Sequence, residues 1–449
     1  MFTDITYQDW QSAADRDRLL LSAIDRYKAS RDFSRALEAG DYFRGCNTAV
    51  AGKTVLRARK IETRDASGRK RVRTGTEDVV GNRIGSGFLF RFITQQNQFL
   101  LANGCILKDA ETKACLGADF DHQLASLGER ALIHGVSWGF WNVDHLEVLE
   151  AARDARSGFF ALLDEMTDEP MVGVQFWQLN ADKPLYIRLF ELDGVTVLRM
   201  EKGTLIPVMP KRPYVVTMRS DALGDEIISQ ENYTRLPVIP LFANTERQSE
   251  LTPAIKAKID AYDNILSDFA DNLDRANDVY WVLNNFGGTT DDIAQMLEEI
   301  QRIKAVANLS DGSGSSSTAE PHTIEVPYAA RKTALDILER ALYQDYMALN
   351  VDALTGGSLT NVAIRTATAN LNLKADRYEW QVFRFVQQLL SLLGITTEEI
   401  RFQRQCIANE SETVADIAAM RPDIDRRTAL KLNPYIQPEE IDTLLEQEA

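Results

Sequence analysis

The stretch SELTPAIKAKIDAYDNILSDFADNLDRA places Leu251, Ile255, Ile259, Tyr262, Leu266, Phe269 and Leu273 at spacings of three and four. Steps of that size keep side chains on one side of a 3.6-residue helix. The sequence therefore predicts one long helix from about Thr252 to Ala276, with Ser249 or Thr252 as its cap and Pro253 in the first turn, where proline is tolerated. Its other face bears Lys256, Lys258, Asp263, Asp268, Asp271 and Asp274, expected to meet solvent or a channel. The apolar stripe by itself is satisfied by ordinary core packing.

Two further helices follow the same rule. The first, roughly Ala330 to Asn350, has Leu335, Leu338, Leu342, Tyr346 and Leu349 on one face. The second lies in NVAIRTATANLNLKADRYEWQVFRFVQQLLSLLG and stops at Gly394, a residue suited to a helix end. Between the helical segments sits SDGSGSSSTAEPHTIEVP, Ser310 to Pro327. Structureless stretches of that length inside compact domains are usually functional loops or plain linkers.

Ahead of this helical half, the chain to about Asp168 is mixed, with the helical segment FLFRFITQQNQFLLANG closed by Gly104. Glu169 to about Phe242 is rich in short strands such as MVGVQFWQL, PLYIRLFEL and VTVLRM, divided by Asp193-Gly194 and five prolines. The basic run LRARKIETRDASGRKRVRTG reads as a solvated hairpin turning at Asp-Ala-Ser-Gly, since no aromatic residues interleave it. The fold class is α+β and largely helical. The C-terminal segment is broken by Pro422, Pro434 and Pro438 into short helical runs.

Several function classes are excluded or disfavoured. A net charge of −16 opposes a broad grip on nucleic acid, because phosphate binding depends on neutralising lysines and arginines. Cys46, Cys105, Cys115 and Cys406 lack metal-ligand spacing, and His122, His134, His145 and His322 form no HExxH pair, so neither a metal nor a cofactor is expected. No apolar run reaches membrane-span length, and MFTDITYQDWQSAADRDRLL has no apolar signal core, which points to a protein made in a cytoplasm. GCNTAVAGKT, Gly45 to Thr54, fails as a phosphate loop because six residues separate its glycines where four are required. GNRIGSG has the wrong glycine order for a dinucleotide fingerprint. Asp291-Asp292 and Glu298-Glu299 read as solvated helix faces, leaving no catalytic set.

The segment RLPVIPLFANTERQSELTPAIKAKIDAYDNILSDFADNLDRANDVYWVLNNFGG resembles the portal proteins of long-tailed bacteriophages. The matching positions are Pro237, Pro240, Asn244, Ser249, Leu251, Lys256, Ile259 to Asp263 and Ser267 to Ala270. EPHTIEVPYAARKTALDILERALYQDYMALN, TGGSLTNVAIRTATANLNLKADRYEWQVFRFVQQLL, GNRIGSGFLFRFITQQNQFLLANG and ERALIHGVSWGFWNVD are similar to other segments of that family, over about residues 80 to 400. Three places depart from it: Gln95-Gln96-Asn97 stands for an acidic-Gln-Lys core, Asn103-Gly104 for Leu-Gly, and Asp271 where Asn is common.

The resemblance implies a ring, dodecameric in the virion, at the capsid vertex where double-stranded DNA enters and leaves. Terminase would dock during filling, head-completion or adaptor proteins afterwards, and capsid and scaffolding proteins would surround it. It implies a wing over 1–168, a β-rich region with the clip over 169–248, a stem helix and strand over 249–285, and a wing helix over 286–309. A tunnel loop over 310–327, a tunnel helix over 328–352 and a helical crown over 353–449 complete the plan. Asp311, Gly312, Ser313, Gly314, Ser315, Ser316, Ser317 and Thr318 would line the tunnel with little charge. The striped residues Leu251 to Leu273 would join neighbouring subunits. The rival readings are another connector ring without the tunnel role, or a nucleotide-dependent DNA-processing enzyme with a divergent motif.

Overall fold

The computed structural model describes residues 3–64, 70–221, 224–276, 280–284, 318–322, 328–351, 360–395, 399–405, 410–436, 441 and 444–445. The chain forms two compact units. Unit 1 comprises Met1–Gly45, Gly87–Ile255 and Tyr343–Ala449, and unit 2 comprises Cys46–Ser86 and Lys256–Leu342. Helix and antiparallel sheet both contribute, so the architecture is α+β.

Unit 1 is built on a six-stranded antiparallel meander. Its strands, in spatial order, are Thr204–Arg212, Gly194–Glu201, Tyr186–Glu191, Pro170–Trp177, Ser157–Leu163 and Ala152–Asp154. A second sheet pairs Val238–Phe242 with Val136–Asn142, and that strand with His145–Glu150. The strand-dominated stretch thus begins well before Glu169, where the sequence places its start. The reason is local: VSWGFWN and GFFALL are continuous apolar runs buried on both faces, so they carry none of the alternation that announces a half-buried strand.

Helices Arg16–Ala29 and Arg31–Phe43 supply Leu20, Ile24, Tyr27 and Phe33 to the core of this sheet layer. Trp138 and Phe159 approach at 5.1 Å between ring centres, and Phe140 and Phe190 at 4.9 Å, within the range of favourable tilted aromatic pairs. The helix starts follow their sequence. Asp15 and Ser30 accept from the backbone N–H three residues on, and Thr6 and Asp9 form a reciprocal capping box.

The helical part of unit 1 packs Phe88–Leu101 against Phe120–His134 and Asn361–Leu392. The last helix ends as its sequence predicts. Gly394 takes φ +70, and Ile395 N–H bonds back to Leu390 O at 2.9 Å. The Gln95-Gln96-Asn97 departure also finds its reason here, because each side chain has a dedicated partner. Gln95 both donates to Leu349 O at 3.0 Å and accepts from Leu349 N–H at 2.9 Å. Gln96 accepts the Tyr346 hydroxyl at 2.9 Å and Asn97 accepts the Tyr378 hydroxyl at 3.1 Å. Beside them Lys374 is nearly enclosed, its Nζ 2.7 Å from Glu250 Oε2 and 3.1 Å from the centre of the Tyr346 ring. Burial lowers the Lys374 pKa, against the pull of Glu250.

Four two-stranded pairs accompany these sheets among the described residues, one of them Val215–Asp221 with Gly224–Glu231. Thr54–Arg64 with Lys70–Val80 is the basic hairpin, and Cys105–Leu107 pairs with Ile400–Phe402. Tyr280–Asn284 pairs with Thr318–His322, so the stretch expected as an irregular loop from 310 to 327 contains a strand that starts at Thr318. Asp311 to Ser317, and the wing helix expected over 286–309, lie outside the described residues. The helix expected from Ala330 runs from Tyr328 to Tyr346.

Candidate assembly helix and its polar seam

The striped helix is present over Pro253–Ala276. Thr252 Oγ1 accepts from Ile255 N–H at 3.4 Å, and Ser249 Oγ accepts from Leu251 N–H at 3.0 Å, so both candidate cap residues bond the backbone at the helix entry. Its side chains are distributed otherwise than the sequence suggests. Asp263 and Ser267 are fully buried, Asp271 is 8% exposed, and Leu273 is 49% exposed. Ile255 and Ile259 are buried, whereas Leu251, Tyr262, Leu266 and Phe269 are only half-buried. The acidic face expected toward solvent or a channel is therefore corrected in part: two of its four aspartates face inward.

The cause is a strap of extended chain, 81–86, laid along the helix within unit 2. Ser86 N–H donates to Asp263 Oδ1 at 3.0 Å, Ile84 N–H to Ser267 Oγ at 3.1 Å, and Asn82 N–H to Asp271 Oδ1 at 2.8 Å. Every second residue of the strap meets every fourth residue of the helix, in antiparallel order. The spacing is a match of two periods. Two extended residues advance about 6.6 Å, and four helical residues about 6.0 Å, so three rungs fit with roughly 1 Å of accumulated error. The strap's inward N–H groups, which have no strand to pair with, are satisfied by side chains instead.

Neighbours close the seam at both ends. The Asn47 amide donates to Asp263 Oδ2 and, at 3.1 Å, to Ser86 O. Asn82 Nδ2 reaches Asp271 Oδ1 and Asp274 Oδ2, both at 2.9 Å. Lys53 Nζ lies 2.7 Å from Asp268 Oδ1 and 3.9 Å from Asp271 Oδ2, and donates to Asn264 O at 3.3 Å. Gly81 admits this approach, since a Cβ there would stand 3.1 Å from Asp271 Oδ2 and 3.0 Å from Val55 Cγ1. Burial raises the Asp263 pKa, opposed by the hydrogen bonds from Asn47 and Ser86.

Among the described residues no group of three or more His, Cys, Asp or Glu side chains could hold a metal ion, and no helix is long and apolar enough to cross a membrane. Sequence reasoning missed Asn47, Ser267 and the inward role of Asp263 and Asp271. The available signal was their own spacing, Asp263, Ser267, Asp271, which is as helical as the apolar stripe beside it. Of the predicted assembly residues, Phe269 touches Tyr328 with ring centres 5.9 Å apart, and the flank from Tyr262 to Leu273 keeps open area in the single chain.

Known proteins give this geometry its context. The chain is 29% identical over 221 residues to the portal protein of Clostridium phage phiCD119, covering 47% of this chain and 48% of that protein. It is 27% identical over 275 residues to the portal protein of Bacillus phage SPP1, covering 58% of this chain and 50% of that protein. The matched regions thus span about half the length of these curated relatives. Residues 24–449 match the family described as Phage portal protein, SPP1 Gp6-like, and the chain belongs to that family.

Proposed function

We propose that this chain is the subunit of a portal ring, the channel at one capsid vertex through which double-stranded viral DNA enters during packaging and leaves on ejection. One observation carries the reading beyond family membership. The Pro253–Ala276 helix has one face covered by its strap while Tyr262, Leu266, Phe269 and Leu273 stay partly open, the arrangement of a helix that completes its burial against copies of itself. In this reading 249–285 is the stem, 1–168 the wing, 169–248 the β-rich region with the clip, and 353–449 the crown. Residues 286–309 form the wing helix, 310–327 the tunnel loop and 328–352 the tunnel helix.

The ring is a dodecamer in the virion and has no enzymatic activity. Terminase supplies the motor, head-completion or adaptor proteins seal the exit, and capsid and scaffolding proteins are its neighbours in the head. The chain's net charge of −16 suits a wall that DNA must pass without sticking. Negative-stain images of the purified protein test the reading. Closed rings with a wide axial channel are expected; protomers or open filaments would overturn it.

A further inference from the structure

On unit 1, the strand Val238–Phe242, the strand Pro170–Trp177 and the last turns of helix Asn361–Leu392 border a cavity of ≈430 Å³. Its apolar lining includes Leu163, Met171, Ile239, Phe242 and Leu392. A second cavity of ≈440 Å³ shares Arg235 and Gln388 with the first and continues past Ile395 to Ile400. The two adjoin at those shared residues, beside the same helix end. Together they make an elongated groove, a shape suited to a length of polypeptide more than to one compact small molecule.

The charges around this groove are uneven. Arg247 is neutralised by Asp168 at 2.7 Å and its guanidinium lies 4.7 Å from the centre of the Phe242 ring. Both residues of that pair hold positive φ, +57 at Asp168 and +55 at Arg247, a conformation uncommon for non-glycine residues. Arg235, at the waist between the cavities, and Arg384, at the side of the first, are exposed and have no hydrogen bond or ion pair among the described residues. Only the exposed Glu169 offsets them, so the lining of the first cavity carries a net positive charge on a chain whose total is −16. Exposed arginines beside apolar hollows recognise carboxylates well, because the guanidinium fork donates to two oxygens at once.

We propose that this groove docks a short segment of a partner protein that combines acidic with large aliphatic or aromatic residues. An apolar side chain fills the first cavity, one carboxylate sits on Arg235, and a second reaches Arg384. The proposal goes beyond ring formation and does not depend on it.

The test pans a displayed library of random dodecapeptides on the full chain. Enriched peptides should pair Asp or Glu with Leu, Ile, Phe or Trp. Their affinity should fall on the order of tenfold or more on Arg235→Glu and on Arg384→Glu, and stay unchanged on Arg18→Glu, an exposed arginine elsewhere. Circular dichroism confirms that the variants fold. No enrichment, enrichment of basic peptides, or binding indifferent to Arg235→Glu would overturn the proposal. A maleimide reporter on Arg235→Cys distinguishes the other occupant: equal labelling of protomer and ring keeps the groove open to a partner, whereas protection in the ring alone assigns it to a neighbouring copy and sinks the idea.

Discussion

Cutting the rungs of the helix-to-strap seam one at a time should loosen the strap by graded amounts. Asp263→Ala removes the acceptor of Ser86 N–H and of the Asn47 amide in a fully buried place. Hydrogen bonds to charged groups contribute about 1.5–3 kcal/mol each, and burial of the carboxylate sets the lower end here, so the loss is about 3 kcal/mol. Asp271→Ala frees Asn82 N–H and Nδ2, which are only part-buried, for about 2 kcal/mol. Ser267→Ala removes one neutral bond to Ile84 N–H, about 1 kcal/mol. At 1.4 kcal/mol per factor of ten, strap opening should rise about 100-fold, 30-fold and fivefold in that order. Hydrogen–deuterium exchange of peptides containing residues 82–86 reads this directly, with Leu273→Ala, on the half-exposed flank, as the control. The same experiment across pH adds a sign. The folded pKa of Asp263 lies above its ordinary value, so the folded state binds the proton more tightly than the unfolded one. Its contribution is greatest below about pH 4 and declines as pH rises through the folded pKa; Asp263→Asn should remove that slope. Exchange in Asp263→Ala no faster than in Leu273→Ala would show that the seam holds nothing.

Other expectations concern assembly and DNA passage. Leu273→Asp and Phe269→Asp should abolish rings in size-exclusion with light scattering while protomers stay folded, whereas Ile259→Asp, placed at a position 1% exposed, should unfold the protomer itself. Removing residues after about Asn409 should leave rings intact and lower the DNA packaged per particle; loss of the ring would put that segment in the core of assembly. A Ser315→Arg, Ser316→Arg double variant should form rings yet package slowly, with partial relief at higher ionic strength, because each added cation tightens a salt-dependent grip on phosphate. Full-length packaging by those rings would refute the tunnel placement of 310–317.

Legibility followed periodicity. The three long helices were readable because their apolar residues repeat over many turns, and helix Asn361–Leu392 stops where Gly394 says it should. Strands Val136–Asn142 and Ser157–Leu163 were harder, since burial on both faces erases alternation. Least legible was the seam. GCNTAVAGKT draws attention as a failed phosphate loop and GNRIGSG as a failed dinucleotide fingerprint, yet they supply Asn47, Lys53 and the strap of residues 81–86, which meet the helix more than 170 residues downstream. Nothing local in either stretch encodes a carboxylate partner so distant in sequence. The aspartates themselves read as surface, because charge is the usual sign of exposure and burial becomes affordable only when the partner N–H groups are already in place.

A seam of discrete bonds also behaves unlike an apolar contact under insertion and deletion. An oily interface can slide a fraction of a turn and repack, but rungs spaced two residues apart on one side and four on the other admit no intermediate setting. One residue added or lost between Asn82 and Ser86 would turn alternate N–H groups away from the helix and take from Asp263 or Asp271 its backbone donor. The count of residues from Asn82 to Ser86 is therefore fixed more tightly than their composition, and related chains should vary at positions 83 and 85, whose N–H groups form no rung, while keeping the count.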